Sequence, residues 1–306
     1  MLDQIETAHD TDVALRKSDE IDPRIFDLYD EFCHTGMDRR TFLARASALG
    51  IVGGLAMAHS LLPRYAEAAI VEFTDPRIKA TYEIYASPGG TSGEMRGYLV
   101  RPQGEGPFPA VVVIHENRGL NPYIEDVARR LAVEGFLAFA PDGLYPVGGY
   151  PGNDEDGKEM QAALDKEKLF TDLLNGAAFV KSHALSTGKL GATGFCYGGG
   201  VVNAFAVEMG AGLNAGVPYY GRAAMTADVP KIKAPLMIQN AEDDPRINEG
   251  MPAYAEALEA NGVTFEMHTY PGTRHGFHNT STPRHNEEQA TIAWDRTISF
   301  FKTHLA

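Results

Sequence analysis

From about residue 78 to the C-terminus the chain alternates short apolar runs with amphipathic segments. Residues 110–114 read Ala-Val-Val-Val-Ile, a continuous β-branched run that suits a strand buried on both faces. In 124–134, Val127, Ala128 and Leu131 share one face and Arg129 and Arg130 the other, the pattern of a surface helix. The same reasoning predicts strands over 136–140, 190–195, 215–220, 235–240 and 264–270. It predicts helices over 168–183, 200–208, 251–260 and 287–303. Ahead of these, 79–85 and 95–100 alternate like an antiparallel pair. Strands alternating with helices define a mostly parallel sheet with helices on both faces. The Gly/Pro-rich stretch 145–157 reads as a long loop, a rim or lid.

The first seventy residues follow no such pattern. Residues 1–37 are polar and acidic with little apolar periodicity. Asp38-Arg39-Arg40-Thr41-Phe42-Leu43 then leads into a mildly apolar Gly/Ala-rich run over 46–62, and Ala66-Glu67-Ala68 offers small residues at a cleavage spacing. Together these resemble a twin-arginine export signal. Two features depart from that pattern: Asp38 stands where Ser or Thr usually precedes the arginines, and the leading segment is long. The expected organisation is an N-terminal extension over 1–69 and a catalytic domain over 70–306, periplasmic or secreted, with no stable membrane insertion after processing. The alternative is a cytoplasmic protein whose N-terminal helix docks on the domain and is never removed.

Composition narrows the field. The chain has 306 residues, ample apolar content for a large core, and a net charge of −14. An acidic surface argues against a general affinity for nucleic acid or anionic membranes. Only Cys33 and Cys196 are present, so no disulfide framework supports the fold.

The chemistry gathers at three predicted strand ends. Gly194-Phe195-Cys196-Tyr197-Gly198-Gly199 follows one strand and precedes a helix. This is the spacing of a nucleophile elbow, with cysteine in the nucleophile position. The residues around such a turn must lack side chains because strand and helix approach closely there. The helix N-terminus directs backbone N–H groups at the nucleophile, where they stabilise an oxyanion. Next, Ala241-Glu242-Asp243-Asp244-Pro245-Arg246 offers two acids, Asp243 and Asp244, either placed to orient an imidazole. Third, His275 stands on a loop after Tyr270-Pro271-Gly272. The order nucleophile, acid, histidine is that of the α/β-hydrolases. No Cys or His pair falls at the spacing of a closed metal site, and His115-Glu116 lacks a second histidine four residues on.

Gly194–Gly199, His115-Glu116-Asn117-Arg118-Gly119, Ala140-Pro141-Asp142-Gly143-Leu144-Tyr145, Tyr219-Tyr220-Gly221 and His275-Gly276-Phe277 together resemble the dienelactone hydrolase (carboxymethylenebutenolidase-like) family over about residues 80–304. The resemblance implies an eight-stranded α/β-hydrolase fold, no cofactor, and hydrolysis of small-molecule esters or lactones. Its Cys-Asp-His triad maps onto Cys196, Asp244 and His275, with Asp244 preferred over Asp243 by the spacing to Arg246 and Asn248. Glu116 maps onto a glutamate that helps activate the thiol. The oxyanion hole falls to the Tyr197 and Asn117 amides. Tyr145, Arg118 and Arg222 stand as the candidate substrate contacts. The stretch 275–279 contains no arginine to hold a substrate carboxylate, which separates this chain from members that open the muconate lactone. Two alternatives are an exported carboxylesterase of another substrate class and a ligand-binding relative without turnover.

Overall fold

The run at 110–114 forms most of β3 (Phe108–Ile114), which is buried on both faces as its composition requires. A computed structural model describes residues 21–35, 37–65 and 68–306. In it Val111 and Val113 face one apolar layer with Val127, Leu131, Phe300 and Phe301. Val112 and Ile114 face another layer with Leu173, Val180, Val202 and Phe205. Each fully buried side chain of this kind contributes about 1.5–3 kcal/mol.

The chain divides into two compact units, Met1–Pro63 and Arg64–Ala306. The larger is an eight-stranded sheet in the order β1-β2-β4-β3-β5-β6-β7-β8. The strands are β1 (Ile78–Ser87), β2 (Gly93–Pro102), β3, β4 (Leu137–Pro141), β5 (Ser186–Phe195), β6 (Ala215–Tyr219), β7 (Leu236–Asp243) and β8 (Phe265–Arg274). β2 pairs antiparallel with β1 and with β4, and every other pairing is parallel. Helices α4 (Pro122–Val133) and α10 (Glu287–His304) cover one face, and α6 (Lys166–Ser182), α7 (Tyr197–Met209) and α9 (Met251–Ala260) the other, with the short α8 (Pro245–Asn248) following β7. This is the α/β-hydrolase architecture expected from the sequence.

Three local readings need correction. The segment 145–157 is not loop throughout. A short 3-10 turn spans Tyr145–Val147, and α5 (Asp154–Ala162) begins inside the stretch. Asn153 caps α5 by accepting from the Asp156 amide, and Asp154, Glu155 and Asp156 fill its first turn, where carboxylates favour a helix N-terminus. The glycines and prolines of the stretch hide that signal. Next, α7 starts at Tyr197, three residues ahead of the predicted helix, because its glycines serve close packing rather than breakage. Finally, residues 23–34 are not without pattern. Asp22 caps α1 (Pro23–His34), which buries Ile25, Phe26, Leu28, Tyr29, Phe32 and Cys33.

The smaller unit has its own core. α1, α2 (Arg39–Ala48) and α3 (Gly54–Ser60) enclose Tyr29, Phe32 and Phe42, with the Phe32 and Phe42 rings stacked at 4.9 Å. Gly50 and Gly53, at φ 65° and 75°, break the apolar run 46–62 into two short pieces. Among the described residues no helix is long and apolar enough to cross a membrane. Arg39 and Arg40 are exposed in the first turn of α2, behind an Asp38 cap. Ala66 and Glu67 of the expected cleavage pattern, like residues 1–20, lie outside the described residues.

Candidate active site

Cys196 joins β5 to α7 with φ 56° and ψ −112°. That backbone region disfavours any side chain beyond glycine, and two surrounding contacts hold it in place. The Cys196 amide donates to the Tyr219 carbonyl at 3.1 Å, and its carbonyl accepts from the Gly200 amide at 3.2 Å. A Cβ at Gly194 would stand 2.5 Å from the Gly198 carbonyl oxygen, and one at Gly198 would stand 2.3 Å from that of Ile114. The glycines at these two positions are therefore required by the approach of α7 to β5 and β3.

Parallel strands end on the same edge, so the loops after β3, β5, β6, β7 and β8 bring Glu116, Cys196, Tyr220, Asp244 and His275 together. The Cys196 sulfur lies within 4.8 Å of a His275 ring nitrogen. His275 Nδ1 lies 2.5 Å from Asp244 Oδ2, both residues buried. Arg246 Nη2 stands 3.3 Å from the same nitrogen. A guanidinium only donates, so the shorter carboxylate contact fixes Nδ1–H as a donor and leaves Nε2 to face the thiol. Burial works to lower the His275 pKa but is outweighed by Cys196 and by the Asp244 hydrogen bond, so the imidazole holds its proton more tightly than usual. Asp243 plays a different part: it is about half exposed and paired with Arg274 at 2.9 Å.

Glu116 is buried beside the thiol. Burial chiefly raises its pKa, Arg118 opposes that, and Cys196 adds to it. Asn279 Nδ2 donates to its carboxylate at 3.2 Å, and Arg118 Nε stands 4.0 Å away. His115, fully buried and held neutral chiefly by burial, anchors this loop. Its Nδ1 meets the Glu116 carbonyl at 2.6 Å, and its Nε2 accepts from the Gly143 amide at 3.2 Å.

The expected substrate contacts divide. Arg118 is buried and its Nη1 pairs with Asp154 at 2.7 Å. Asp154 also accepts from Tyr65 and Tyr150. Tyr145 is half-buried with the Arg96 guanidinium 5.4 Å over its ring. Arg222 is exposed, its carbonyl accepting from Asn203 Nδ2. Sequence reasoning gave no role to Asn279, although it shares the loop of His275. It also passed over Arg284, which folds back so closely that a Cβ on Gly276 would stand 2.9 Å from its Nη2.

A cysteine on a strained strand-to-helix turn, with an Asp–His pair from the next strand ends, defines a hydrolase of the α/β-hydrolase class. The dienelactone hydrolase family model matches residues 95–305, and the chain belongs to that family. A second model, YqhI-like, matches residues 14–50. The fragment YghX of Escherichia coli K12 is 62% identical over 112 residues, 36% of this chain and 95% of its own length. Protein usf of Aquifex pyrophilus is 35% identical over 222 residues, covering 69% of this chain and 94% of that protein. The crystal structure of the dienelactone hydrolase-like promiscuous phosphotriesterase P91, from metagenomic libraries, superposes with a TM-score of 0.65. It covers 75% of this chain and all of P91, at 22% identity, a likeness of fold.

Proposed function

We propose that the enzyme cleaves a small-molecule ester or lactone through a Cys196 thioester. The observation that carries this reading is Cys196 at positive φ, its sulfur within 4.8 Å of the ring of a histidine that Asp244 holds in one tautomer. His275 or Glu116 takes the thiol proton, and the thiolate attacks the carbonyl carbon. Charge on the carbonyl oxygen is met by the Tyr197 and Asn117 amides. The tetrahedral adduct collapses to a thioester as the alkoxide leaves with a proton from the His275 imidazolium. Water, deprotonated by His275, then attacks the thioester and releases the acid and the thiol. Arg118, Arg222 and Tyr145 are the proposed substrate contacts. Turnover of a panel of nitrophenyl esters and lactones, with mass spectrometry for an acyl group on Cys196, tests the reading. No turnover and no adduct across the panel would refute it.

Glu116 acts in this scheme as an auxiliary base that relays the thiol proton to His275, which delivers it to the leaving alkoxide. Glu116→Gln is expected to lower turnover by about 10²–10⁴-fold. Because the Glu116 pKa is raised, its carboxylate fraction grows with pH above the ordinary carboxylate range. The wild-type rate should climb through that range, and the Gln variant should lack that limb. Equal rates and identical pH profiles would reduce Glu116 to an ion-pair partner of Arg118.

We also infer that residues 1–68 direct export. The support is the exposed Arg39-Arg40 pair ahead of a mildly apolar segment. In cells with an active twin-arginine pathway, N-terminal sequencing of the exported fraction should begin near Ala69, and Arg39→Lys with Arg40→Lys should abolish export. Full-length protein confined to the cytosol in both cases would overturn this.

A further inference from the structure

Tyr220, the residue after β6, is the one other non-glycine residue at positive φ among those described, at 36°. A bulky aromatic residue in that region is strained, and such strain gathers at functional sites. The strain aims the side chain. Its amide is fixed by the Gln239 carbonyl at 2.7 Å, and its ring packs on that of His275 with centroids 4.9 Å apart. The side chain is completely buried, with its phenol near enough to Glu116, Cys196 and Arg284 to feel their charges.

The hydroxyl is then left in an unusual state. The neighbouring Tyr123 hydroxyl is engaged with His278 Nδ1 at 2.7 Å. Apart from a contact with that Tyr123 hydroxyl, no described group stands in hydrogen-bond geometry to the Tyr220 oxygen. A buried hydroxyl so poorly satisfied opposes folding, and a phenylalanine would fill the same space without that penalty. A tyrosine in this position makes sense if its acceptor arrives with the substrate. Resting on the ester-hydrolysis reading above, we propose that Tyr220 is a catalytic residue whose hydroxyl donates a hydrogen bond to the reacting ester group, supplementing the backbone amides as charge develops on oxygen. The ester group is the one acceptor every substrate of such an enzyme carries, so the contribution is the same across the acyl series.

The test compares the full-length wild-type chain with Tyr220→Phe on 4-nitrophenyl acetate, which has no acceptor besides its ester and nitro groups. Removing a donor of this kind lowers kcat by about 10²–10³-fold where it has been measured in other enzymes. For Tyr220→Phe, kcat should fall by about tenfold or more with KM little changed, and the thermal midpoint should be equal or higher. A smaller fall, a change confined to KM, or a lowered midpoint alongside the lost activity would each overturn the proposal. Esters left untouched by the wild-type chain would remove the underlying reading, and this inference with it. A wild type that turns over and a Phe variant that matches it would remove this inference alone.

Discussion

Cys196→Ala is expected to abolish ester hydrolysis, lowering turnover by about 10³-fold or more, while the protein stays folded. The methyl group of alanine fits wherever the Cys196 side chain fits, and the strained turn is held by backbone contacts to Tyr219 and Gly200 that the substitution leaves intact. Losing the nucleophile removes the covalent route altogether, because neither a second cysteine nor a serine occupies the elbow. Cys196→Ser should retain a trace of activity, since a hydroxyl needs a stronger base than this site supplies. The measurement is nitrophenyl ester turnover alongside a thermal melt. An alanine variant within about tenfold of wild type would take Cys196 out of the mechanism.

Asp244→Asn should be the next most damaging change, with turnover falling by about 10²–10⁴-fold. The upper value is that of a serine protease, where the same substitution leaves the geometry intact. The cause is the tautomer. Asp244 can only accept, so His275 Nδ1 carries the proton and Nε2 is left to receive the thiol proton. An asparagine can present its amide N–H to Nδ1 instead, which moves the ring proton to Nε2, and the imidazole then no longer accepts from the thiol. The pH profile separates this from simple damage. Asp244 helps raise the His275 pKa, so any acid limb due to His275 should move to lower pH in the variant. A variant within threefold of wild type, with an unmoved acid limb, would show that the pair is structural.

Much of this site was legible because its chemistry is tied to strand ends. The β-branched run of β3 and the glycines around Cys196 signal where their strands stop, whereas β8 runs on through Pro271-Gly272, with a register shift, to Arg274 just before His275. In a parallel sheet those stops converge on one edge. Asp243 and Asp244 were equivalent by position alone. What separates them is direction, since Asp244 turns into the core toward His275 while Asp243 turns out to Arg274. α5 was missed because its capping residue and acidic first turn sit inside a stretch dominated by glycine and proline. Asp154 at its start gathers Tyr65, Tyr150 and Arg118, partners remote in sequence whose meeting depends on tertiary packing. Arg284 is illegible for the same reason: it lies beyond the stretch 275–279, and only the folding back of the chain brings it against Gly276.

Cys196 and Tyr220 stand at the ends of neighbouring strands, linked through the Cys196 amide and the Tyr219 carbonyl. They are also the two described non-glycine residues with left-handed backbone. Each such residue costs about 1–3 kcal/mol, a substantial part of the roughly 5–15 kcal/mol by which a domain is stable. The catalytic edge of the sheet is therefore the place where this protein is least optimised as a folded object. Selection for heat tolerance alone would relax it first, replacing these residues with ones that suit their backbone, and the more robust descendants would be the less active ones. Engineering for thermal endurance has its safer targets around β1 and β2, where no non-glycine residue has left-handed backbone.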